Sequence, residues 1–253
     1  MSRTDDQEVA VAVASWRLVG AAHTDQGPVR RENQDAFQLV PLPGAGLGLI
    51  VADGMGGQNG GREAAEAAVA AATVRLGMPG DGADPLPAVV DLANEAVAGV
   101  RRTLGGNPGT TMVAALLTPG HLTVANAGDS RAYLIRGGVA RQLTEDHSLV
   151  ADQVRAGRLG RAEARHDPRR NYVTRALLGD PVAADVTRTE TQAGDMVLLC
   201  SDGLWGALED AEIASLLSAG PNLMEAARRI VAAALSAGAT DNVTAAVGRV
   251  DRA

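Results

Sequence analysis

Lysine is absent from this chain of 253 residues: all 23 Lys/Arg positions are arginine. A phosphate-cradling Walker loop and a protein-kinase site each need a lysine, so both readings fall together. Cysteine is nearly absent too. The single Cys200 leaves no internal disulfide and no Cys-rich zinc site, which fits a reducing compartment. Aromatic residues are scarce, with one Phe, two Tyr and two Trp, so the core must be built from Val, Leu, Ile and much Ala. No apolar run reaches the roughly 18 to 20 residues of a membrane span. The acidic opening "MSRTDDQEVA" has no signal-peptide core. A net charge of -7 argues against nonspecific nucleic-acid binding, which relies on a basic surface. What remains is a soluble, cytoplasmic protein with no nucleic-acid and no membrane partner. Its Ala- and Arg-rich bias resembles that of a GC-rich bacterial genome.

With 46% apolar residues, the chain has ample material for a core. Residues 1–14 read as a flexible N-terminal tail and 15–253 as a single domain without internal repeats. Strands are expected at "SWRLVGAAH", "DAFQLV" and "GLGLIVAD". The period then changes to helical over 60–76 and again from Leu86 to Leu104, where apolar residues recur at steps of three and four. "TTMVAALLT", "HLTVANA", "RAYLIRG" and "VARQLT" read as an antiparallel meander. Residues 147–170 read as an irregular, arginine-rich excursion. A strand "DMVLLCSD", helices over 209–218 and 221–236, and a closing strand "NVTAAVGRV" complete the chain. Helices that come in pairs favour an α+β sandwich over a doubly wound parallel sheet.

The stretch "VADGMGGQNGG" ends an apolar strand on a carboxylate and follows it with five glycines in eight residues. Alternation puts Leu47, Leu49, Val51 and Asp53 on one face, so the carboxylate points inward. A buried, unpaired carboxylate must be protonated, paired or bound to a cation, and glycines let a backbone approach closely. Asp35, Asp202 and Asp241 repeat the placement at the ends of "DAFQLV", "DMVLLCSD" and "NVTAAVG". Each alone reads as a turn or helix cap. Four on core-facing phases instead suggest a cluster that needs cations, and oxygen-only donors favour Mg²⁺ or Mn²⁺ over zinc.

Eight ordered stretches carry a family resemblance: "TDQGPVRRENQDAF", "VADGMGGQNGG", "GTT", "VANAGDSRAYLIR", "LTEDHS", "NYVTRALLGD", "LLCSDGLW" and "TDNVTAAV". Over residues 16–250 the chain resembles the type 2C metal-dependent protein serine/threonine phosphatases (PPM family) in their bacterial form. The resemblance implies a central antiparallel β-sandwich flanked by helix pairs, four layers in all, with a binuclear metal centre at one end and a flap at about 147–170. It implies Asp35, Asp53, Gly54 (through its carbonyl), Asp202 and Asp241 as metal-site residues for two Mn²⁺ or Mg²⁺ ions. Asp129 would help Asp202 hold a third. Arg30 matches the arginine that grips substrate phosphate, and Arg30, Asp53 and Asp202 are the residues expected to carry catalysis.

Such a centre hydrolyses phosphoserine and phosphothreonine by in-line attack of a metal-bridged water or hydroxide, without a protein nucleophile. The residues agree. Cys200 has Gly206 where a cysteine phosphatase needs its loop arginine, and no D-x-D serves an aspartyl-phosphate route. The implied partners are phosphorylated proteins, including a Ser/Thr protein kinase, for an enzyme acting as a monomer. The alternative is a catalytically weak pseudophosphatase that binds or senses phosphoproteins. A small-molecule phosphoesterase would share the metals. Two positions depart from the wider family: Gln34 stands where many members carry Glu, and Met55 where animal members carry a histidine. Asp25 is expected to fix a turn or orient Arg30, His147 to be a hydrogen-bonded structural residue, Thr110 and Thr111 to serve packing and turns, and Tyr133 and Trp205 to lie in the core or at its rim. Between 155 and 170, six arginines face only Glu163 and Asp167, either a solvated charged face or a basic lid suited to steering phosphoproteins.

Overall fold

A computed structural model describes residues 4–42, 44–56, 60–78 and 84–253. Residues 57–59 of the glycine-rich stretch and 79–83 of the break between the first two helices lie outside the described residues. The first four strands are β1 (Thr4–Val13), β2 (Trp16–Asp25), β3 (Asp35–Leu42) and β4 (Gly46–Met55), followed by helices α1 (Gly61–Gly77) and α2 (Leu86–Leu104). The middle of the chain gives β5 (Gly109–Thr110), β6 (Met112–Thr118), β7 (His121–Ala127), β8 (Arg131–Arg136) and β9 (Val139–Gln142). Short helices α3 (Leu149–Arg155) and α4 (Arg161–Ala164) precede β10 (Asp185–Glu190) and β11 (Met196–Cys200). Then come α5 (Asp202–Trp205), α6 (Asp210–Ser218), α7 (Leu223–Ser236) and β12 (Val243–Arg252).

One antiparallel sheet runs β1-β2-β12-β11-β8-β9 and the other β10-β7-β6-β4-β3, with β5 paired to β4. Period-two alternation sends Leu47, Leu49 and Val51 of β4, with Val197 and Leu199 of β11, into the core between the sheets. The opposite faces bury against helices. Ile50, Met112 and Ala114 meet α1 and α2, and Leu198, Tyr133 and Val247 meet α6 and α7. The result is the expected four-layer sandwich. Alanine on the buried faces of α1 and α7 lets these helices lie close to the sheets, which compensates for the missing aromatic bulk.

Four sequence expectations need correction. Residues 4–13 are no loose tail: β1 pairs with β2 over its whole length, and Val11 and Val13 are buried between the sheets. The acidic half of that strand hid its alternation. The stretch from "TTMVAALLT" to "VARQLT" is not one meander, because β6 and β7 pair in one sheet whereas β8 and β9 pair in the other. The "GDS" turn is the crossing between the two sheets. The 147–170 excursion contains α3 and α4, with Ser148 capping α3 by accepting the Ala151 N–H at 3.3 Å. Strand β10 went unread because its "DVTRTE" is polar and covers one edge of the second sheet.

Candidate metal centre

The β3–β4 register sets Asp35 directly opposite Asp53, so two carboxylates meet at one end of the sandwich. The Asp53 main chain is braced on both sides. Its N–H donates to Thr111 Oγ1 at 3.1 Å, and its carbonyl accepts from the Thr111 N–H and the Thr110 hydroxyl, both at 2.9 Å. Gly54 accounts for one of the glycines at its own position. A Cβ there would lie 2.2 Å from the Gly61 carbonyl oxygen and 2.7 Å from that of Gln34, so only glycine lets these three backbones converge.

Asp35 rests on a relay of polar side chains. Ser201 and Thr244 hydroxyls donate to its Oδ2 at 2.7 and 2.6 Å. Thr244, having spent its proton on Asp35, accepts from Thr24 at 2.6 Å, and Thr24 accepts from Asn33 Nδ2 at 2.9 Å.

Asp202 and Asp241 reach the same end by a different route. The residues in phase with them, Leu198, Cys200, Val243 and Ala245, face α6 and α7 and not the space between the sheets. The shared-face expectation therefore holds for Asp35 and Asp53 but not for this pair. Asp202 is the first residue of α5, and the turn at Ser201 redirects it. Gly203 lets that turn pack on the Asn242 carbonyl, 2.1 Å from where a Cβ would stand. Asn242 then stitches in the loop that carries Arg30: its Nδ2 donates to the carbonyls of Gln26 (2.8 Å) and Glu32 (3.0 Å), and its Oδ1 accepts the Gln34 N–H (2.9 Å). Arg30 itself donates to Asp241 Oδ2 at 2.5 Å.

Asp129 is buried in the crossing between β7 and β8, and its carbonyl accepts from Trp205 Nε1 at 2.9 Å. Arg131 braces this wall, with its guanidinium 3.6 Å over the Trp205 ring and forked onto Asp146 at 2.9 and 2.7 Å. His147 is structural, as expected. Its Nδ1 accepts the Gly128 N–H at 3.0 Å, which leaves Nε2 protonated to donate to Asp185 at 3.0 Å. Asp25 accepts the Gly27 N–H at 2.7 Å, closing the expected turn. Cys200 is fully buried, and burial pushes its thiol up and away from the reactive thiolate.

The carboxylates repel one another. Burial, then the charges of Asp35, Asp202, Asp129 and Asp241, hold Asp53 well above the usual carboxylate range. Asp129 is raised likewise by burial and by Asp202. Asp35 is pushed up to about 7 by burial, with Asp202 and Asp241 adding to it, and Asp202 to about 6 by burial and Asp241. Among the described residues no three His, Cys, Asp or Glu side chains stand in ion-enclosing geometry. The donor set nevertheless fits a hard cation. Asp35 Oδ1 and Asp202 Oδ1 are buried with no hydrogen-bond partner among the described residues, a costly state for an anion unless a positive ion answers it.

The raised acids give a pH prediction. Between about pH 4 and pH 7 the folded chain binds more protons at Asp35 and Asp202 than the unfolded chain does, so stability falls as pH rises through that window. In chelator, the melting temperature should drop from pH 5 to pH 8, and Mn²⁺ should restore it at pH 8. A melting temperature that rises across that range in chelator would contradict the cluster's electrostatics.

The cluster is thus an oxygen-donor set of the kind that suits hard cations, with Arg30 at its rim. Comparison with known proteins gives the family. Residues 91–243 match the family model "Protein phosphatase 2C". The chain is 39% identical over 236 residues to the serine/threonine protein phosphatase PstP of Mycobacterium tuberculosis, covering 91% of this chain and 44% of that protein. It is 36% identical to the serine/threonine phosphatase stp of Listeria innocua, covering 87% of this chain and 91% of that one. A solved catalytic domain of PstP, in complex with two manganese ions, superposes with a TM-score of 0.81 at 36% identity over 93% of this chain and 99% of that one. The chain belongs to the protein phosphatase 2C family. It spans under half the length of PstP but nearly the whole of the Listeria enzyme.

Sequence reading missed the polar support of this site: Thr24, Asn33, Ser201, Asn242 and Thr244. Each stands near an aspartate, in "HTD", "ENQD", "CSD" and "TDNVT", but that they meet around Asp35 and the Arg30 loop is not written in those stretches.

Proposed function

We propose that the chain hydrolyses phosphoserine and phosphothreonine on proteins in a metal-dependent reaction. The observation that carries this is the pair of buried, unpartnered oxygens of Asp35 and Asp202, set among mutually repelling carboxylates beside Arg30. Asp53, Asp202 and Asp241, with Asp35 and the Gly54 carbonyl, would hold two divalent ions, Mn²⁺ or Mg²⁺, and Asp129 with Asp202 a third. Ions bound there would acidify a water and draw charge from the phosphoryl oxygens. The protein's own part is positioning. Thr110 and Thr111 fix the Asp53 backbone, Ser201 and Thr244 fix the Asp35 carboxylate, and Asn242 holds the Arg30 loop in place.

Arg30, half-exposed at the rim, presents a fork that suits phosphate. Arg30→Ala should lower kcat/KM on a phosphothreonine peptide about ten- to hundredfold, the worth of a charge-assisted contact of about 1.5 to 3 kcal/mol. Arg31→Ala is the control, and a larger loss there would show that the phosphate contact is misassigned.

We further propose a cytoplasmic, monomeric enzyme that opposes a Ser/Thr protein kinase, with the flap selecting phosphoproteins. Three of its arginines are already engaged: Arg155 with Asp152, Arg165 with Glu209, and Arg169 with Asp167. Arg158, Arg161 and Arg170 have no ion pair among the described residues, and Arg170 lies near enough to favour the charged form of Asp202. Neutralising Arg158, Arg161 and Arg170 together should slow dephosphorylation of an autophosphorylated kinase, less so at high salt, and spare a small aryl phosphate. Equal loss on both substrates would assign the flap to the metal centre instead. Among the described residues no helix is long and apolar enough to cross a membrane.

A further inference from the structure

Asp241 differs from its neighbours in the cluster. Asp35 and Asp202 each keep a buried oxygen with no partner among the described residues, whereas both oxygens of Asp241 are taken. Its Oδ1 accepts the Asn242 N–H at 2.9 Å and its Oδ2 accepts from Arg30 at 2.5 Å. The Arg30 contact is built into the loop. Gln26 Nε2 donates to the Arg30 carbonyl at 2.8 Å, and Asn242, next to Asp241, ties down Gln26 and Glu32 on either side. The same fastening that presents Arg30 to phosphate therefore presents it to Asp241. A cation that approaches Oδ2 meets the guanidinium already on that oxygen, and the like charges repel, so the two compete for Asp241. The ion pair is half-exposed, with side-chain exposures of 51% and 26%, so the displacement costs little.

We propose that Arg30 is a shared cation that passes between two partners. It pairs with Asp241 and turns to substrate phosphate once a divalent ion claims that carboxylate. Arg30 thereby competes with metal at Asp241 and orders the site, metal first and phosphate second. The inference rests on the metal-centre reading given above, and it gives Arg30 a role in metal uptake in addition to its contact with phosphate.

Calorimetric titration with Mn²⁺ tests this without any turnover. Wild type, Arg30→Ala, Asp241→Ala, the double variant and Arg31→Ala are compared at one pH and low salt. Arg30→Ala should bind Mn²⁺ about three- to tenfold more tightly, through loss of the competing pair and of a nearby like charge. In the Asp241→Ala background the same change should have at least about twofold less effect, the coupling a direct contact leaves in a double-mutant cycle. Arg31→Ala should match wild type. Unchanged Mn²⁺ affinity in Arg30→Ala would overturn the proposal. So would equal tightening with and without Asp241, since Arg30 would then act only through its field. If wild type takes up no Mn²⁺ at all, the metal centre itself is wrong, a failure distinct from the other two.

Discussion

Asp53→Ala and Asp202→Ala should each lower phosphothreonine-peptide hydrolysis by roughly a thousandfold or more, with both proteins still folded in chelator. The size follows from what bound ions would supply: several kcal/mol of charge stabilisation in the transition state, at tenfold per 1.36 kcal/mol. Asp53 sits opposite Asp35 and is felt by Asp202, Asp129 and Asp241 alike, so its removal empties the middle of the donor set. Asp202 is felt by Asp53, Asp129 and Asp35, and contributes a buried oxygen that no other described residue satisfies. Folding should not suffer, because each change relieves repulsion between buried carboxylates. Thermal melts in chelator should show Asp53→Ala at or above wild type. Turnover by either variant within tenfold of wild type would mean that the carboxylates are not the catalytic centre.

Gly54→Ala should have the largest effect on the fold. Its Cβ would stand 2.2 Å from the Gly61 carbonyl oxygen and 2.7 Å from that of Gln34, both backbone atoms with no rotamer to change. The Gly54 N–H also donates to the Gln34 carbonyl at 3.1 Å, so β4 cannot retreat without losing that bond. A cost of about 2 to 4 kcal/mol is expected, in the range of severe overpacking. Gly77→Ala is the matched control. Apart from its chain neighbours and its own helix backbone, no described atom lies within 4 Å of where its Cβ would stand, and alanine there should be neutral or slightly stabilising. Chemical denaturation of the two variants in chelator checks the pair. Equal stabilities would show that the β4 backbone can shift aside at Gly54 without cost.

The layers of the fold were legible because alternation and helical period are local signals, clearest in the steps of three and four from Leu86 to Leu104. The crossing at Gly128–Ser130 was not legible, because a turn between two strands reads the same whether they pair or separate into opposite sheets. Asp35 and Asp53 could be placed by phase alone, since they lie on strands whose inward face is the core between the sheets. Asp202 and Asp241 come to the same end of the sandwich for a reason the phase did not supply. Their strands face the helices, and a turn at Ser201 and the residues before Val243 bring them round. The network around Asp35 lay beyond sequence reasoning because its hydroxyls come from positions far apart in the chain, Thr24, Ser201 and Thr244, and meet only after both sheets have formed. The Arg30–Asp241 contact, 211 residues apart in sequence, has the same origin.

The central claim is that the carboxylate cluster works through divalent metal on phosphorylated protein segments. Phosphate release from a phosphothreonine peptide, measured with purified wild-type protein in Mn²⁺, in Mg²⁺ and in excess chelator, tests it most directly. Turnover with either ion and none above background in chelator is the predicted result. Turnover that persists undiminished in excess chelator would contradict the account, as would stable peptide binding with no hydrolysis under any of the three conditions.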